Sequence, residues 1–315
     1  MSRLRMVFCG TPQFAVPSLQ HLLQQPDFEV VGVFTQPDRP KGRGQEISFS
    51  PVKTVALAAK LPVHQPAKVR MPGIEEQLRA LAPDVIVIIA YGQIIPARLL
   101  VIPKLGWINL HASLLPKYRG AAPINWAIVK GETRTGNTTM RIDAGMDTGE
   151  ILLQEELAIG PEETAPELTV RLAETGAPLM AQTLRGLAAG TLRVRPQNDA
   201  AATLAPILRR EDGQIDWARS ASEIYNRMRG FAPWPGAYTG FRGQICHLWG
   251  KPVSKEKEPA APGTLLAPSG GLRVVCGQGS VLELTAVKLE GRRQVSAVEF
   301  ARGARLQAGE HLGKV

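Results

Sequence analysis

Residues 84–91 read Asp-Val-Ile-Val-Ile-Ile-Ala-Tyr, and this stretch decides the fold class. A short run that is apolar at successive positions is typical of a strand buried on both faces in a parallel sheet. Similar runs occupy Leu4–Gly10, Glu29–Gln36 and Gly106–Ala112, with helical stretches between them. Strands that alternate with helices build βαβ units, so the sequence predicts an α/β domain with a parallel sheet and helices on both faces.

The rest of the chain predicts a second, smaller domain, and 315 residues is about twice a typical domain length. Extended stretches at Thr135–Ala144 and Ile151–Ile159 precede a long helix at Glu163–Ala189, which closes the α/β domain. Residues 190–205 lose helical periodicity and are predicted to be a linker. Short strand-like runs broken by glycine and proline follow, and they indicate a small β-barrel. We therefore expect domains at 1–189 and 206–315.

The composition argues against a membrane protein and against a disulfide-rich secreted domain. The longest strongly apolar run, Val85–Ala90, is far shorter than the ~20 residues of a membrane-spanning helix. Cys9, Cys246 and Cys276 fit no CxxC spacing and leave one thiol unpaired in any disulfide scheme. We expect a protein of the reduced cytoplasm without a metal site.

Positive charge is concentrated towards the end of the chain. The net charge is +9, and residues 206–315 carry 16 Lys and Arg against 10 Asp and Glu, which is +6 of the +9. The loop at 37–46 adds Arg39, Lys41 and Arg43, with two glycines among them. Such basic regions suit a polyanionic partner, but a solvated loop and solubility alone explain the same pattern. The charges by themselves leave both explanations open.

Polar side chains occur at the end of the fourth predicted strand. Within residues 107–111, the alternation of a strand places Asn109 and His111 on one face. A lone histidine there often only ends a strand, but an amide at matching spacing suits an open site. Asp147 lies in the loop at 143–149, where glycines allow a tight turn. An amide, an imidazole and a carboxylate supply a stabiliser of negative charge, a proton carrier and an orienting group, which suits acyl-type transfer.

These residues resemble, in kind and order, those of the folate-dependent formyltransferases. The resemblance rests on Asn109-Leu-His-Ala-Ser-Leu-Leu-Pro-Lys-Tyr-Arg-Gly120 and on Asp143-Ala-Gly-Met-Asp-Thr-Gly149. Three further motifs are similar to the branch of the family that acts on methionyl-tRNA. They are Gly10-Thr-Pro-Gln-Phe-Ala15, Thr35-Gln-Pro-Asp-Arg-Pro40 and Phe231-Ala-Pro-Trp-Pro-Gly236. The resemblance therefore spans nearly the whole chain.

The resemblance implies a fold, a reaction and site residues. The fold is a Rossmann-like formyltransferase domain followed by a C-terminal barrel that resembles an OB fold. The reaction transfers the formyl group of 10-formyltetrahydrofolate to the α-amino group of initiator methionyl-tRNA, which gives N-formylmethionyl-tRNA for translation initiation. The implied catalytic residues are Asn109, His111 and Asp147, and the implied folate-site residues are Ser113, Leu114, Leu115 and Pro116.

The resemblance also gives the two basic regions a partner. Arg43 matches the key basic position of a loop that reads the tRNA acceptor stem, and Arg39 and Lys41 are expected to assist. Arg209 and Arg210, just after the linker, are further candidates for tRNA contacts. We expect a monomer that binds tRNA and folate and that needs no metal and no membrane.

Two other functions compete with this one. Formylation of an amino sugar nucleotide shares the core motif at 109–120, but a small sugar nucleotide does not require the basic loop or the basic C-terminal domain. A folate- or RNA-binding protein without activity has no use for all three polar residues. In the favoured reaction, Asn109 and a protonated His111 hydrogen-bond the oxyanion, and Asp147 stabilises the imidazolium.

Overall fold

The computed structural model describes residues 3–41, 46–266 and 271–313. The chain divides into two compact units, each built from several segments. Unit 1 comprises Met1–Pro123, Arg134–Ala158 and Leu168–Ala205, and unit 2 comprises Ile124–Thr133, Ile159–Glu167 and Pro206–Val315. The sequence boundaries at 189 and 206 remain predictions, and the residues predicted to be a linker belong to unit 1.

A mixed sheet and a separate hairpin form the β-structure of unit 1. Their strands are β1 (Leu4–Gly10), β2 (Phe28–Phe34), β3 (Arg39–Lys41), β4 (Glu46–Ser48), β5 (Val63–His64), β6 (Val85–Ile89), β7 (Trp107–His111), β8 (Arg134–Arg141) and β9 (Ile151–Ala158). The seven-stranded sheet has the order β5-β2-β1-β6-β7-β8-β9, and β3 pairs with β4. Neighbours from β5 to β7 are parallel, which confirms the predicted parallel sheet. β8 and β9 extend it in antiparallel orientation.

Helices cover both faces of this sheet. The helices of the first two thirds of the chain are α1 (Val16–Leu23), α2 (Pro51–Ala58), α3 (Ile74–Leu81), α4 (Ala97–Leu100), α5 (Pro123–Val129) and α6 (Ala165–Ala189). One face of the sheet packs its side chains, such as Phe8 and Val87, with α1, α2 and α6. The other face packs Val7 and Ile86 with α3 and α4. Each fully buried aliphatic side chain contributes about 1.5–3 kcal/mol, so burial on both faces explains why β6 lies at the centre of the sheet.

The hairpin β3–β4 is inserted in the chain of unit 1 between β2 and α2. Ser50 caps α2, because its Oγ accepts the Lys53 N–H at 3.1 Å. Pro51 occupies the first helical position, where a missing N–H costs nothing. The Ser50 hydroxyl also lies 2.7 Å from that of Thr35, the residue that follows β2. The foot of the hairpin is thereby tied to the carboxyl end of β2.

Unit 2 contains an antiparallel sheet with helices packed on it. Its remaining elements are α7 (Ala221–Gly230), β10 (Tyr238–Phe241), β11 (Gln244–Lys257), β12 (Leu272–Val275), β13 (Ser280–Leu289), β14 (Val295–Ser296) and α8 (Ala297–Gly303). The strand order is β10-β11-β13-β12, and β14 pairs with β13. Ile224 of α7 and Phe300 of α8 share a core with Leu248 of β11. The predicted small β domain is confirmed, and α8 is an element that the sequence patterns did not predict.

Two segments that precede most of α6 in the sequence, 124–133 and 159–167, belong to unit 2. Arg229 of α7 is 6% exposed and donates from Nη1 to the carbonyl oxygens of Gly160 at 3.1 Å and Glu163 at 2.8 Å. Asn125 of α5 donates to the Gly230 carbonyl at 2.7 Å. These hydrogen bonds explain why the compact units are not continuous in sequence.

The cysteines are structural residues. Cys9, Cys246 and Cys276 are buried and unpaired. Burial raises the pKa of the Cys246 and Cys276 thiols to about 12, so both stay protonated and unreactive. In the part of the chain that the structure describes, no helix combines the length and apolarity needed to cross a membrane.

Candidate active site

The candidate site lies at the carboxyl end of β7. Asn109 and His111 alternate along this strand with the buried side chains of Ile108 and Leu110. β7 is flanked by the parallel strand β6 and the antiparallel strand β8. Open α/β sheets bind ligands beyond the carboxyl ends of their parallel strands. The structure therefore places both predicted residues on the strand that ends at the edge where such sheets bind ligands.

The segment Ser113–Pro116 follows β7 and is fixed by bonds within unit 1. The Ser113 hydroxyl donates to the Lys117 carbonyl at 2.6 Å. The Thr138 hydroxyl accepts the Leu115 N–H at 3.1 Å and donates to the Ser113 carbonyl at 2.6 Å. Gln154 donates to the Leu115 carbonyl at 2.9 Å. The segment predicted to line the folate site is thus rigid and presents apolar surface from half-buried Leu114 and Pro116.

Asp147 occupies a tight loop between β8 and β9. Its backbone is left-handed, with φ of 54°, a conformation that costs a non-glycine residue about 1–2 kcal/mol. Gly149 is required here, because an added Cβ would lie 1.9 Å from the Arg141 carbonyl oxygen. The Asp143 carboxylate closes the turn by accepting the Gly145 N–H at 3.0 Å and the Thr148 hydroxyl at 2.7 Å. The loop holds the Asp147 carboxylate largely buried, at 20% exposure.

The loop brings Asp147 to His111. The Asp147 Oδ2 atom lies 3.6 Å from Nδ1 of His111 and accepts the Gly120 N–H at 2.8 Å. On the opposite side of the ring, Nε2 lies 2.8 Å from the carbonyl oxygen of Tyr118. Because a carbonyl only accepts, Nε2 must carry a proton and donate it. Nδ1 is therefore the nitrogen that can take up and release a proton, and it faces a carboxylate.

Asn109 completes the group. Within the described residues its side chain has no hydrogen-bond partner, and it is only partly buried. A free amide can donate to a ligand oxygen without breaking a bond in the protein. The arrangement therefore offers a hydrogen-bond donor and, two residues further along the same face, an imidazole paired with a carboxylate.

Comparisons with known proteins assign the chain to a family. Residues 3–184 match the family model Formyl transferase, and residues 207–305 match Formyl transferase, C-terminal domain. The methionyl-tRNA formyltransferase of Solibacter usitatus is 54% identical over 311 residues, which cover 99% of each chain. That of Geobacter sulfurreducens is 48% identical over 315 residues, which cover 100% of this chain and 98% of the relative. The chain belongs to the methionyl-tRNA formyltransferase family.

Several solved structures share the fold of this chain. WlaRD, a sugar 3N-formyl transferase, superposes with a TM-score of 0.68 at 17% identity, covering 93% of this chain and 100% of its own. HypX from Aquifex aeolicus, in complex with tetrahydrofolic acid, gives a TM-score of 0.61 at 17% identity, covering 95% and 47%. Identities this low show the fold alone. The superpositions confirm the predicted α/β domain followed by a smaller β domain.

The residues expected to bind tRNA in a methionyl-tRNA formyltransferase lie in two places. Arg39 and Lys41 are the end residues of β3, and Arg39 is exposed. Arg209 and Arg210 are exposed in unit 2, where a glutamate lies 3.9 Å from the Arg210 guanidinium. Arg43 lies outside the described residues. The structure therefore gives a place to four of the five predicted tRNA contacts.

A cavity of about 540 Å³ opens beside the hairpin, at the carboxyl ends of β1, β2 and β6. Thr11, Gln36, Arg39 and Tyr91 are among its lining residues. The Gln36 amide donates to the Tyr91 carbonyl at 3.1 Å, which fixes the wall between β2 and β6. The volume is in the range of small-ligand sites. The sequence patterns gave no sign of this cavity, because its walls come from three separate loops.

Two residues of the site were missed in the sequence. Arg119 and Gln197 hold the Asp147 loop, and Gln197 lies among the residues predicted to be a linker. We call residues 195–205 the strap, because this segment forms hydrogen bonds with several loops of the candidate site. Arg195 exchanges both backbone hydrogen bonds with Ile151, and the Ala205 N–H donates to the Arg119 carbonyl at 2.7 Å. Only the motif around Arg119 gave a signal, and nothing in the sequence pointed to Gln197.

Proposed function

We propose that this protein transfers the formyl group of 10-formyltetrahydrofolate to the α-amino group of initiator methionyl-tRNA. The observation that carries the proposal is the pairing of His111 with Asp147 on the face of β7 that also presents the free amide of Asn109. Relatives at 48–54% identity are named methionyl-tRNA formyltransferases, and this similarity supports methionyl-tRNA as the acceptor of the formyl group. The product is N-formylmethionyl-tRNA for translation initiation.

The three side chains divide the chemistry among them. When the neutral amine attacks the formyl carbon, negative charge develops on the formyl oxygen, and Asn109 donates a hydrogen bond to it. One donor of this kind is worth about 3–4 kcal/mol in the transition state. Nδ1 of His111 takes the proton that the amine loses, and Asp147 stabilises the imidazolium. The proton then passes to the leaving nitrogen of the folate.

The hydrogen bond between His111 and Tyr118 changes one expected role. From the sequence we expected both Asn109 and protonated His111 to bond the oxyanion. Nε2 of His111 already donates to the Tyr118 carbonyl at 2.8 Å, and Nδ1 faces Asp147. We therefore propose Asn109 as the oxyanion donor and the His111–Asp147 pair as the proton carrier.

We propose that Ser113, Leu114, Leu115 and Pro116 form one wall of the folate site. The hydrogen bonds of Ser113 and Leu115 are made within the protein, so the wall binds by shape and apolar contact. The rigid segment fits a flat, largely aromatic ring system better than a flexible polar ligand. The bound folate supplies an activated formyl group, and these residues orient it.

We propose that tRNA is bound by the hairpin and by unit 2. Arg39, Lys41 and Arg43 would contact the acceptor end, and Arg209 and Arg210 would contact the tRNA backbone. The excess of positive charge at 206–315 supports this division, since phosphate contacts dominate the affinity for nucleic acids. All proposed catalytic residues come from one chain, and we propose a cytoplasmic monomer.

The function can be tested by offering the protein a labelled formyl donor and two acceptors. With initiator methionyl-tRNA we expect turnover, and with an amino sugar nucleotide we expect none above the rate of the Asp147→Asn variant. Preferential labelling of the sugar nucleotide would assign the protein to the other branch of the family. Folate or tRNA binding without any transfer would show a binding protein.

A further inference from the structure

The loop that carries Asp147 is held by a side chain outside the predicted site. The Gln197 amide nitrogen donates to the carbonyl oxygen of Asp147 at 2.8 Å and to that of Gly149 at 2.7 Å. Both amide protons are thus used, on two carbonyls that lie two residues apart in the loop. Because carbonyl oxygens only accept, the orientation of the amide group is fixed by its partners. Gln197 therefore holds the backbone of the loop at Asp147 and again two residues further along.

Arg119 holds Gln197 in turn. This guanidinium is 7% exposed and donates to the Gln197 Oε1 atom from Nε at 3.0 Å and from Nη2 at 2.8 Å. Nη2 also donates to the Asp199 carboxylate at 2.7 Å, which balances its charge. The next residue, Gly120, donates its N–H to the Asp147 carboxylate at 2.8 Å. One short segment thus fixes the Asp147 carboxylate directly and the Asp147 backbone through Gln197.

The strap does not depend on Gln197 for its own position. Backbone hydrogen bonds join Arg195 to Ile151 at 2.8 and 2.9 Å. Others join Arg119 to Thr203 at 2.8 Å and to Ala205 at 2.7 Å. The strap is therefore anchored on both sides of Gln197. Loss of the Gln197 amide would release the Asp147 loop and leave the strap in place.

We propose that Gln197 is a positioning residue for formyl transfer, which acts only by fixing the Asp147 carboxylate against His111. The inference rests on the proposed catalytic role of Asp147. The residues predicted to be a linker thereby become part of the active site. A shift of the carboxylate by about 1 Å is enough to lower the rate by about 100-fold, because proton transfer depends steeply on geometry.

The test compares Gln197→Glu with a neighbouring control in the full-length enzyme. Glutamate has the same shape but cannot donate to the carbonyls of Asp147 and Gly149. We expect kcat to fall by about 10- to 100-fold, with KM for folate and tRNA and the melting temperature near wild type. Asn198→Ala is the control, since the exposed Asn198 side chain accepts the Ala200 N–H at 3.1 Å and, among the described residues, makes no hydrogen bond to the loop. If Gln197→Glu does not fold, Gln197→Met removes the same donors without adding charge.

A double mutant separates a positioning role from a merely structural one. If Gln197 acts through Asp147, adding Gln197→Glu to Asp147→Asn lowers the single-turnover rate no further. Multiplied losses, or wild-type kcat in Gln197→Glu while Asp147→Asn is slow, would overturn the positioning role and leave the proposed function intact. A wild-type enzyme without formyl transfer to methionyl-tRNA would overturn the proposed function and this inference together.

Discussion

Asp147 approaches His111 through one oxygen, Oδ2, which lies 3.6 Å from Nδ1 of the imidazole. The same oxygen accepts the Gly120 N–H at 2.8 Å, so the carboxylate cannot swing away without losing a bond. Nε2 of the ring is held by the Tyr118 carbonyl at 2.8 Å. The ring is fixed at one nitrogen and poised at the other, which is the arrangement that a proton carrier requires.

Asp147→Asn should leave the fold intact and lower the rate of formyl transfer by at least about 100-fold. Asparagine keeps an oxygen for the Gly120 N–H, so the loop retains its bond. That oxygen takes the place of Oδ2, so a neutral amide oxygen would face Nδ1 of His111 and could not balance the charge of an imidazolium. Single-turnover formylation of methionyl-tRNA measures the loss, and thermal unfolding checks the fold.

Asp143→Asn is the matched control for this change. Asp143 lies in the same loop, is exposed, and accepts from Gly145 and Thr148, which an asparagine oxygen can still do. We expect its rate to stay within about threefold of wild type, because an asparagine oxygen keeps both bonds that close the turn and the Asp147 carboxylate is unchanged. Equal losses in Asp147→Asn and Asp143→Asn would mean that the loop, and not the carboxylate at His111, controls the rate.

Asn109→Ala should lower kcat by about 100- to 1000-fold and change KM by little, because the amide acts when charge develops on the formyl oxygen. Asn109→Asp keeps the shape but replaces the donor by an acceptor, and it should be at least as slow. Steady-state kinetics at saturating tRNA and folate separate the two parameters. A change confined to KM would show that Asn109 binds the ground state only.

The sequence predicted those parts of the candidate site that depend on patterns between neighbouring residues. Asn109 and His111 share a face because strand residues alternate, and the carboxyl edge follows from the βαβ pattern. Gln197 and Asp147, in contrast, are 50 residues apart and meet only after the strap has packed. A polar side chain at an irregular position has no periodicity that would reveal its partner.

The limits of the predicted fold have the same origin. The apolar runs predicted β1 with the correct ends, because burial on both faces leaves a continuous signal. The assignment of α5 to unit 2 depends on contacts such as that of Asn125 with Gly230, across 105 residues. The sequence predicts only a short strand at Gln244–Trp249, whereas β11 extends from Gln244 to Lys257, because pairing with β13 continues past the apolar residues.

Arg229→Met should lower the free energy of unfolding by about 2–3 kcal/mol. The buried guanidinium donates to Gly160 and Glu163 and, from Nη2, to the Asn226 side chain at 2.7 Å. Methionine fills similar space but makes none of these bonds, so the segment at 159–167 loses its anchor. Urea unfolding followed by circular dichroism gives the value.

Arg292→Met is the control for that substitution, because Arg292 is exposed. We expect its stability to stay within about 0.5 kcal/mol of wild type. If the two variants unfold at the same urea concentration, the buried hydrogen bonds of Arg229 add no net stability, because hydration of the same groups in the unfolded protein offsets them. The attachment of the segment at 159–167 to unit 2 would then depend on other contacts.

Arg43→Ala should raise KM for initiator tRNA by about tenfold, or ~1.4 kcal/mol, and leave folate binding unchanged. The foot of the hairpin is rigid, because Asp38 pairs with Lys53 and accepts from the Gln65 amide at 2.9 Å. In the sequence, Arg43 comes two residues after β3, and β3 itself follows the carboxyl end of β2.

Lysine at the same position distinguishes a specific grip from charge alone. A guanidinium binds phosphate through two hydrogen bonds and stacks on an unpaired base, which an ammonium group does less well. Arg43→Lys should therefore recover less than half of the binding free energy lost in Arg43→Ala, and the loss should shrink as salt rises. Arg79→Ala controls for net charge, since Arg79 pairs with Glu75 on α3 at 3.0 Å.

Full recovery by lysine would show that Arg43 contributes only its positive charge. Wild-type KM in both Arg43 variants at physiological salt would mean that the loop is a solvated turn, and that tRNA is recognised from unit 2.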